Sequence, residues 1–308
     1  MMRHSNPDML FYIAMADAYA AAVEYIKLPE RNALRDECLA FQKYLAHPTH
    51  GNPPGTYTDD TEMSVANTRV ILHNNEPFTP LMFAEEYVRE FQRGGRRKGY
   101  SRGFQAILET VRTGAELLAK IRPDSTKNGA AMRAVPFGVL PTVEQALNVA
   151  TLQARITHDT PEGRFSARAV ALMSHAALYE DLPLSDLGEY CQKYLPEEDL
   201  KSFGYVFSQP WPEKPVKSLP EVSVAITTVH AVVDVLVREN SLMGILKRII
   251  EWGGDTDSVA AIAWGIASAR YQNEKLPLFL KLDLEGGNKR LEVDCLRVLG
   301  VLLMHKYM

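Results

Sequence analysis

Apolar residues recur every three to four positions along most of this chain, and polar residues occupy the positions between them. This spacing gathers the apolar side chains on one face of an α-helix. The strict alternation of apolar and polar residues that marks a half-buried strand does not occur in the sequence. The pattern therefore predicts an all-α fold, with helices at residues 7–28, 32–46, 60–73, 80–92, 101–121, 143–156, 161–178, 184–194, 220–238, 242–251, 255–271 and 289–305.

Proline and glycine clusters separate several of the predicted helices, at residues 47–57, 122–129 and 209–215. No repeat of fixed period occurs, and no connection is long or polar enough to act as an interdomain linker. We therefore predict that residues 1–308 form one compact, multi-helix domain.

The composition argues against a nucleic-acid-binding, membrane-bound or disulfide-rich protein. The net charge of −4 and the pI near 6.1 argue against a general electrostatic grip on nucleic acid or on an anionic membrane. The three cysteines Cys38, Cys191 and Cys295 lie far apart, so a disulfide framework or a thiolate zinc site is not expected. Acidic residues interrupt the apolar N-terminal stretch, which excludes a signal peptide or membrane span there. A cytoplasmic protein with no membrane partner is expected.

Two acidic clusters each begin an apolar helix. Residues 57–66 read YTDDTEMSVA, and residues 252–269 read WGGDTDSVAAIAWGIASA. One such residue is enough to cap a helix, and two adjacent buried carboxylates repel each other. Carboxylate and hydroxyl oxygens are ligands that Mg²⁺, Mn²⁺ or Ca²⁺ take. If the two helix starts converge, they could hold two divalent cations about 3.5–4 Å apart.

Six blocks of the sequence, taken in order, resemble the ADP-ribosylglycohydrolase family. They are ADAYAAAVE at 16–24, TDDTEMSVA at 58–66, KGYSRGF at 98–104, DSTKNGAAMRAVPFG at 124–138, ITHDTPEG at 156–163 and GGDTDSVAAIAWGI at 253–266. The chain departs from the family pattern at Ala16 and Ala20, where glycine is usual, and at Ser258, where threonine is usual. Each block alone is a weak indication, but the ordered set is specific.

The resemblance implies a compact all-α fold with a metal-containing cleft. It implies a centre of two Mg²⁺ ions, with Mn²⁺ as the other option, held by Thr58, Asp59, Asp60, Asp255, Asp257 and Ser258. The implied reaction is hydrolysis, by a water activated at that centre, of the glycosidic bond between ADP-ribose and an acceptor. The implied catalytic residues are Glu24, Asp60 and Asp257, with Asp17 supporting them from behind.

The same resemblance implies the residues that bind substrate. Loop amides and side chains would contact ADP-ribose at Gly99, Ser101, Ser125, Asn128, Gly129 and His158. Arg133 is expected in a buried structural pair. Adenine stacking is left open between Phe104, Tyr205 and Trp211, because Thr126 and Lys127 replace the aromatic or glycine residues usual before Asn-Gly.

Parts of the sequence also resemble motifs of other protein classes. The DTDS stretch resembles a haloacid-type phosphotransferase motif, but that motif ends a strand near the start of a domain. An EF-hand loop would need a central glycine and a glutamate at its twelfth position, and both are missing. The serious alternative is a catalytically silent family member that binds ADP-ribose or has a regulatory or structural role.

The sequence does not indicate which acceptor carries the ADP-ribose. We expect ADP-ribose or an ADP-ribosylated substrate as partner, with a protein acceptor first and a nucleic acid or small molecule as alternatives. The basic stretch RGGRRKG at 93–99 is interpreted as a solvated turn, with attraction of phosphate or nucleic acid as the alternative.

Overall fold

A computed structural model describes residues 2–27, 30–287 and 290–307. Within these ranges the chain forms sixteen α-helices. They are α1 (Met9–Ala20), α2 (Glu30–Leu39), α3 (Asp59–His73), α4 (Pro80–Arg93), α5 (Arg102–Thr110), α6 (Gly114–Lys120), α7 (Gly129–Met132), α8 (Val143–Thr157), α9 (Pro161–Tyr179), α10 (Leu187–Tyr194), α11 (Glu197–Phe203), α12 (Val224–Arg238), α13 (Leu242–Trp252), α14 (Thr256–Tyr271), α15 (Leu278–Leu282) and α16 (Arg290–Tyr307).

Short 3₁₀ helices and isolated bridges complete the described structure. The 3₁₀ helices are Ala21–Val23, Val135–Val139, Leu184–Asp186, Gly204–Phe207 and Leu284–Gly287. In the same ranges β-structure is limited to three isolated bridges, Asp124 with His158, Val216 with Gly254, and Leu219 with Val222. The predicted all-α class is confirmed.

Threonine caps account for the accuracy of several predicted helix starts. The threonine hydroxyl accepts a hydrogen bond from the amide three residues further on, which satisfies a donor that the first turn leaves free. This contact occurs at Thr79, Thr142 and Thr160, where α4, α8 and α9 begin. Proline follows directly in α4 and α9, with its backbone already suited to the first helical position.

Helices α1 and α14 pack together in the centre of the molecule. Every residue of α1 is buried, and α14 is buried from Thr256 to Ala269. Small residues allow the two helices to approach closely. At Gly265 an added Cβ would lie 2.8 Å from Ile13 Cγ1 and 3.0 Å from Val135 Cγ1. This contact places the start of α14 inside the protein rather than at its surface.

The structure corrects the boundaries of several predicted helices. The segment 101–121, predicted as one helix, forms α5 and α6, because Val111 takes an extended conformation and Thr113 caps a new start. The predicted helix 220–238 begins only at Val224, after Glu221 adopts a φ of 65°. The predicted helix 32–46 ends at Leu39, shortly before Phe41 with its φ of 50°. The short helices α7, α11 and α15 were not predicted.

The first predicted helix, 7–28, is also too long. α1 ends at Ala20, a 3₁₀ turn follows, and Glu24 already has the extended ψ of 126°. Glu24 therefore lies in the turn beyond the helix that carries Asp17. The predicted helix end at 28 and the predicted start at 289 fall outside the described residues.

No helix within the described ranges combines the length and apolar character that a bilayer crossing requires.

The close approach of α1 and α14 can be tested by comparing two glycine substitutions. We expect Gly265→Ala to lower the free energy of unfolding, because overpacking costs about 1–3 kcal/mol and exceeds the ~1 kcal/mol gained by replacing a helical glycine. Gly103→Ala in α5 is the control, since its added Cβ meets nothing within 4 Å. It should leave stability unchanged or raise it. Denaturant unfolding of both variants checks this, and equal effects at the two positions would contradict the packing described.

Candidate functional site

A cleft of about 690 Å³ opens over the start of α3 and the start of α14. Its wall also includes parts of α5, the segment 120–129, the end of α8 and residues of the segment 218–224. Of the residues expected to bind metal or substrate or to act in catalysis, Thr58 is not in the wall. The others line it: Glu24, Asp59, Asp60, Gly99, Ser101, Ser125, Asn128, Gly129, His158, Asp255, Asp257 and Ser258. The structure thus brings segments far apart in sequence to one cavity.

Asp17 holds the start of α3 in place. Its carboxylate is fully buried and accepts hydrogen bonds from the amide of Thr58 at 2.9 Å and the amide of Thr61 at 3.1 Å. The hydroxyls of the same two threonines also donate to it, at 2.9 and 2.5 Å. A carboxylate suits this position because the first amides of a helix are free donors. Asp17 is therefore committed to fixing the backbone that carries Asp59 and Asp60.

The Gly-Gly pair before α14 makes a turn that other residues cannot make. Gly253 and Gly254 have φ of 73° and 86°, a region that L side chains rarely adopt. A Cβ on Gly254 would also lie 2.1 Å from the carbonyl oxygen of Val216. The amide of Asp255 donates to that same oxygen at 2.8 Å. This turn sets the position from which Asp255 enters the cleft.

Carboxylates from the two helix starts and from the turn after α1 meet in two groups. Oxygens of Asp17, Asp60 and Asp257 lie within 4.8 Å of one another, and so do oxygens of Glu24, Asp255 and Asp257. Asp257 belongs to both groups. Within the described residues, the one nitrogen in salt-bridge range of these five acids is Nδ1 of His50, 3.6 Å from Glu24 Oε2. The acids therefore lack a lysine or arginine partner in the described part of the protein.

Burial raises the pKa of every acid in this cluster, and repulsion from neighbouring carboxylates raises the pKa of Glu24, Asp59, Asp60 and Asp257 further. Burial is the largest cause for each of them. The pKa rises to about 6 for Asp17 and to about 7 for Asp59. The pKa values of Asp60, Asp257 and Glu24 rise well above the ordinary range, since neighbouring carboxylates add to the effect. Hydrogen bonds from Ser258 and Tyr25 oppose the rise in the pKa of Asp255.

The cluster fits a divalent cation better than it fits water alone. Oδ1 of Asp60 is buried and has no hydrogen-bond partner. A buried unpaired carboxylate oxygen is costly, and a hard cation with oxygen ligands removes that cost. The Thr58 hydroxyl lies 3.1 Å from Asp60 Oδ2 and 2.9 Å from Asp17 Oδ1. Asp59 lines the cleft but belongs to neither carboxylate group.

Two glycines bring backbone close to the cluster and the cleft. Gly99 has a φ of 141°, and a Cβ there would lie 3.0 Å from Cβ of Thr58 and 3.2 Å from Oδ1 of Asp59. A Cβ on Gly129 would lie 2.8 Å from Cε1 of His158. Both loops can therefore reach the cleft only with glycine at these points.

His158 is held as a neutral ring. Its Nδ1 lies 2.6 Å from the hydroxyl of Thr157, and burial, together with Arg133 and Lys127, lowers its pKa to about 3. A neutral imidazole can offer its other nitrogen as a donor or an acceptor.

Arg133 lies behind the His158 loop. It is buried and donates to Gln153 Oε1 at 2.6 Å and Thr157 Oγ1 at 2.7 Å, with Tyr87 under its guanidinium. Its hydrogen bonds go to neutral groups in the described structure.

Some residues of the site were not foreseen from the sequence. Tyr25 has a φ of 47°, is 46% exposed and donates to Asp255 Oδ2 at 2.9 Å. The sequence around Glu24 does not indicate this role for Tyr25, because the role depends on a hydrogen bond to a residue 230 positions further along the chain. Of the three aromatic residues considered for adenine, Phe104 lines the cleft. Tyr205 and Trp211 instead pack against His230.

The basic stretch 93–99 is not simply a solvated turn. Arg97 is buried and forms ion pairs with Glu62 at 3.0 Å and Glu285 at 2.7 Å, and it also donates to the Tyr57 carbonyl. Its guanidinium carbon lies 3.9 Å from the centre of the Tyr57 ring. Arg97 thus ties the Gly99 loop to the residue just before Thr58. The interpretation as a solvated turn is wrong for this residue, because its carboxylate partners come from distant segments.

Fold and site together define an all-α protein with an acidic, oxygen-lined cleft. The sequence profile of the ADP-ribosylglycohydrolase family matches residues 9–306. ADP-ribosylhydrolase ARH3 of Xenopus tropicalis is 27% identical over 274 residues, covering 75% of this chain and 78% of that protein. ADP-ribosylhydrolase ARH3 of Gallus gallus is 26% identical over 306 residues, covering 82% of this chain and 80% of that one.

A solved structure described as an ADP-ribosylglycohydrolase-related protein complex has the same fold. Its TM-score is 0.74 at 20% identity, covering 98% of this chain and 97% of that one. The chain belongs to the ADP-ribosylglycohydrolase family. The family membership predicted from the six sequence blocks is confirmed.

The raised pKa values predict how stability depends on pH and on metal. Asp59 titrates near 7 when folded against an ordinary 3.8, so the folded state binds more protons between these values. In a chelator, the free energy of unfolding should therefore fall as pH rises from about 4 to about 7. Adding Mg²⁺ near pH 8 should raise the melting temperature, since a ligand of the folded state stabilises by about 2.7 kcal/mol at a hundredfold excess over Kd.

Asp257→Asn is the matched variant for this measurement. It removes the carboxylate shared by both groups, so it should stabilise the chelated protein near neutral pH and abolish the Mg²⁺ effect. If the melting temperature of the unaltered protein does not change with pH or with added Mg²⁺, these acids do not act as a coupled, cation-binding cluster.

Proposed function

We propose that this protein is a metal-dependent hydrolase that cleaves the glycosidic bond between ADP-ribose and an acceptor. The proposal rests on the two sets of three carboxylates that have Asp257 in common. The part of the cleft wall formed by Asp60, Asp255 and Asp257 is called its floor. The cleft volume is within the range of small-molecule sites, roughly 300–1,000 Å³. The names of the ADP-ribosylhydrolase relatives support the same class of reaction.

The residues on the floor would hold two Mg²⁺ ions, with Mn²⁺ as the alternative. The expected ligands are Thr58, Asp59, Asp60, Asp255, Asp257 and Ser258. When bound, such ions polarise substrate oxygens and make water a better nucleophile at neutral pH. They would also offset the repulsion among the buried carboxylates.

The remaining wall would bind the nucleotide. Hydroxyls of the distal ribose would face the acidic floor, and the diphosphate would lie along the loops that contain Gly99, Ser101, Ser125 and Gly129. Backbone amides in glycine loops and at helix starts bind phosphate oxygens in this way. Asn128 and His158 would contact the ligand beside this path. Phe104, Ile107 and Ile121 form the apolar surface that adenine would cover.

Glu24 is placed to handle the proton of the attacking water. Its side chain is 20% exposed and belongs to the same carboxylate group as Asp255 and Asp257. Its main-chain oxygen lies 2.8 Å from His47 Nε2, which holds the turn in position. As water attacks the anomeric carbon, one of its protons would pass to Glu24, whose carboxylate form bound cations would favour. The bond to the acceptor would break, and the acceptor would leave with the bonding electron pair and take up a proton. The transition state of such a reaction is oxocarbenium-like.

Removing a floor carboxylate tests the metal-dependent reaction. We expect Asp60→Asn and Asp257→Asn each to lower kcat by at least about 10²-fold, because a preorganised charge beside the reacting centre is lost. Hydrolysis would be measured over a panel of arginine, serine, nucleic-acid and small-molecule ADP-ribosyl linkages, with Mg²⁺ or chelator. Calorimetry of Mg²⁺ binding and helical circular dichroism would accompany it.

Asp159→Asn is the control, because Asp159 pairs with Arg164 outside the cleft. It should keep both activity and Mg²⁺ binding. ADP-ribose binding without hydrolysis of any linkage by the unaltered protein would instead support the catalytically silent alternative.

Glu24→Gln tests the assignment of the proton acceptor. The variant keeps the size of the side chain but cannot take a proton, so kcat should fall by about 10²–10⁴-fold while ADP-ribose affinity changes little. Single-turnover rates and equilibrium binding separate the two quantities. Full activity in this variant would leave Glu24 with a structural role only.

A further inference from the structure

Three exposed cations line the cleft in addition to its acidic residues. Lys120, Arg122 and Lys127, here called the cationic rim, all line the cavity. Across the described ranges, no carboxylate oxygen lies within salt-bridge distance of their side-chain nitrogens; Lys120 Nζ instead contacts Thr110 Oγ1 at 3.2 Å. The rim therefore offers positive charge to whatever enters the cleft.

Some other basic residues are paired with carboxylates, although within the described ranges Lys98 and Arg102 lack such a partner, as the rim does. Arg164 pairs with Asp159, and Arg93 pairs with Glu90 and Glu86. In a protein of net charge −4, carboxylates are plentiful. One acid, Asp124, lies in the same stretch and lines the cleft, so the rim keeps a surplus of two positive charges. Unpaired cations converging on a cavity favour an anionic ligand.

The backbone beneath the rim is fixed before any ligand arrives. The Pro123 carbonyl accepts from the Asp159 amide at 2.6 Å, and the Ser125 carbonyl accepts from the Thr160 hydroxyl at 3.0 Å. Asp124 also forms a backbone bridge with His158. A held segment loses less conformational freedom on binding than a loose one, which increases the affinity of its side chains for a ligand.

The apolar surface of the cleft adjoins the rim. Ile121 lies between Lys120 and Arg122 in sequence, and it lines the cavity together with Phe104 and Ile107. If adenine lies on this surface, the ribose attached to adenine lies next to the cationic rim. In the proposed function, the amides of the two glycine loops bind the diphosphate. The side chains of the rim are then free to bind a further anionic group of the ligand.

We propose that the cationic rim binds a phosphate carried by the adenosine ribose, so that the preferred substrates are ADP-ribosyl compounds phosphorylated on their adenosine. The position of adenosine rests on the proposed function, but the test does not require hydrolysis. Three probes are sufficient: AMP, adenosine 2′,5′-bisphosphate and adenosine 3′,5′-bisphosphate. The last two add one phosphate to the adenosine ribose at alternative hydroxyls.

Calorimetric affinities at low ionic strength should show that one of the bisphosphates binds roughly tenfold more tightly than AMP, the size expected of one or two partly exposed charge-assisted contacts. The preference should shrink as salt is added, since exposed charges are screened. Arg122→Ala and the double variant Lys120→Ala/Lys127→Ala should each lose most of the preference while AMP affinity changes less than about twofold.

Lys98→Ala is the matched control, because it removes an exposed cation that does not line the cleft. It should keep the preference. Equal affinity for AMP and both bisphosphates, or rim variants that weaken all three equally, would overturn the proposal. The second result would assign the rim to the diphosphate instead.

The two proposals can fail separately. A bisphosphate preference that depends on the rim, in a protein that hydrolyses no ADP-ribosyl linkage, would retain the anion site and reject the hydrolase. Hydrolysis without any such preference would do the reverse.

Discussion

The buried repulsion among carboxylates is the constraint on which this structure depends. Five acids from three separate segments share one interior space, and the part of the chain that the structure describes supplies them with no lysine or arginine partner. Burial alone disfavours their charged forms, and their proximity increases that cost. A fold retains such an arrangement when something else in the functional state offsets it, and hard cations do so with the oxygen ligands present here.

The rest of the molecule can be understood as the frame that holds these acids at fixed distances. The Asp17 carboxylate accepts hydrogen bonds from the first amides of α3. The Gly253–Gly254 turn packs against Val216 and so sets the position at which α14 begins. Arg97 joins the backbone before Thr58 to the loop that carries Gly99. Replacing a buried ion pair by apolar groups can leave stability unchanged, so the value of Arg97 lies in the geometry that it imposes.

Much of the fold could be predicted because helices in this chain carry their signals locally. The helical periodicity of apolar residues indicated where α4, α8 and α9 begin, and the two acidic clusters indicated which segments would meet. The errors have tertiary causes. Val111 is extended because it is buried between two short helices, and Glu24 leaves the helix because the chain turns toward Gly254. Tyr25 and Arg97 could not be assigned, since their partners are known only once the chain is folded. The roles given to the cleft residues remain proposals.

The distance along the chain between the two acidic clusters has a consequence for biosynthesis. Asp60 and Asp255 are 195 positions apart, yet their side chains complete one centre. During translation the first cluster leaves the ribosome well before the second, at about 5–20 residues per second. A chain made only as far as the first cluster carries Asp17, Asp59 and Asp60 but lacks the carboxylates of Asp255 and Asp257. The full group of carboxylates can therefore assemble only after the segment that begins α14 has been made and has packed against α1.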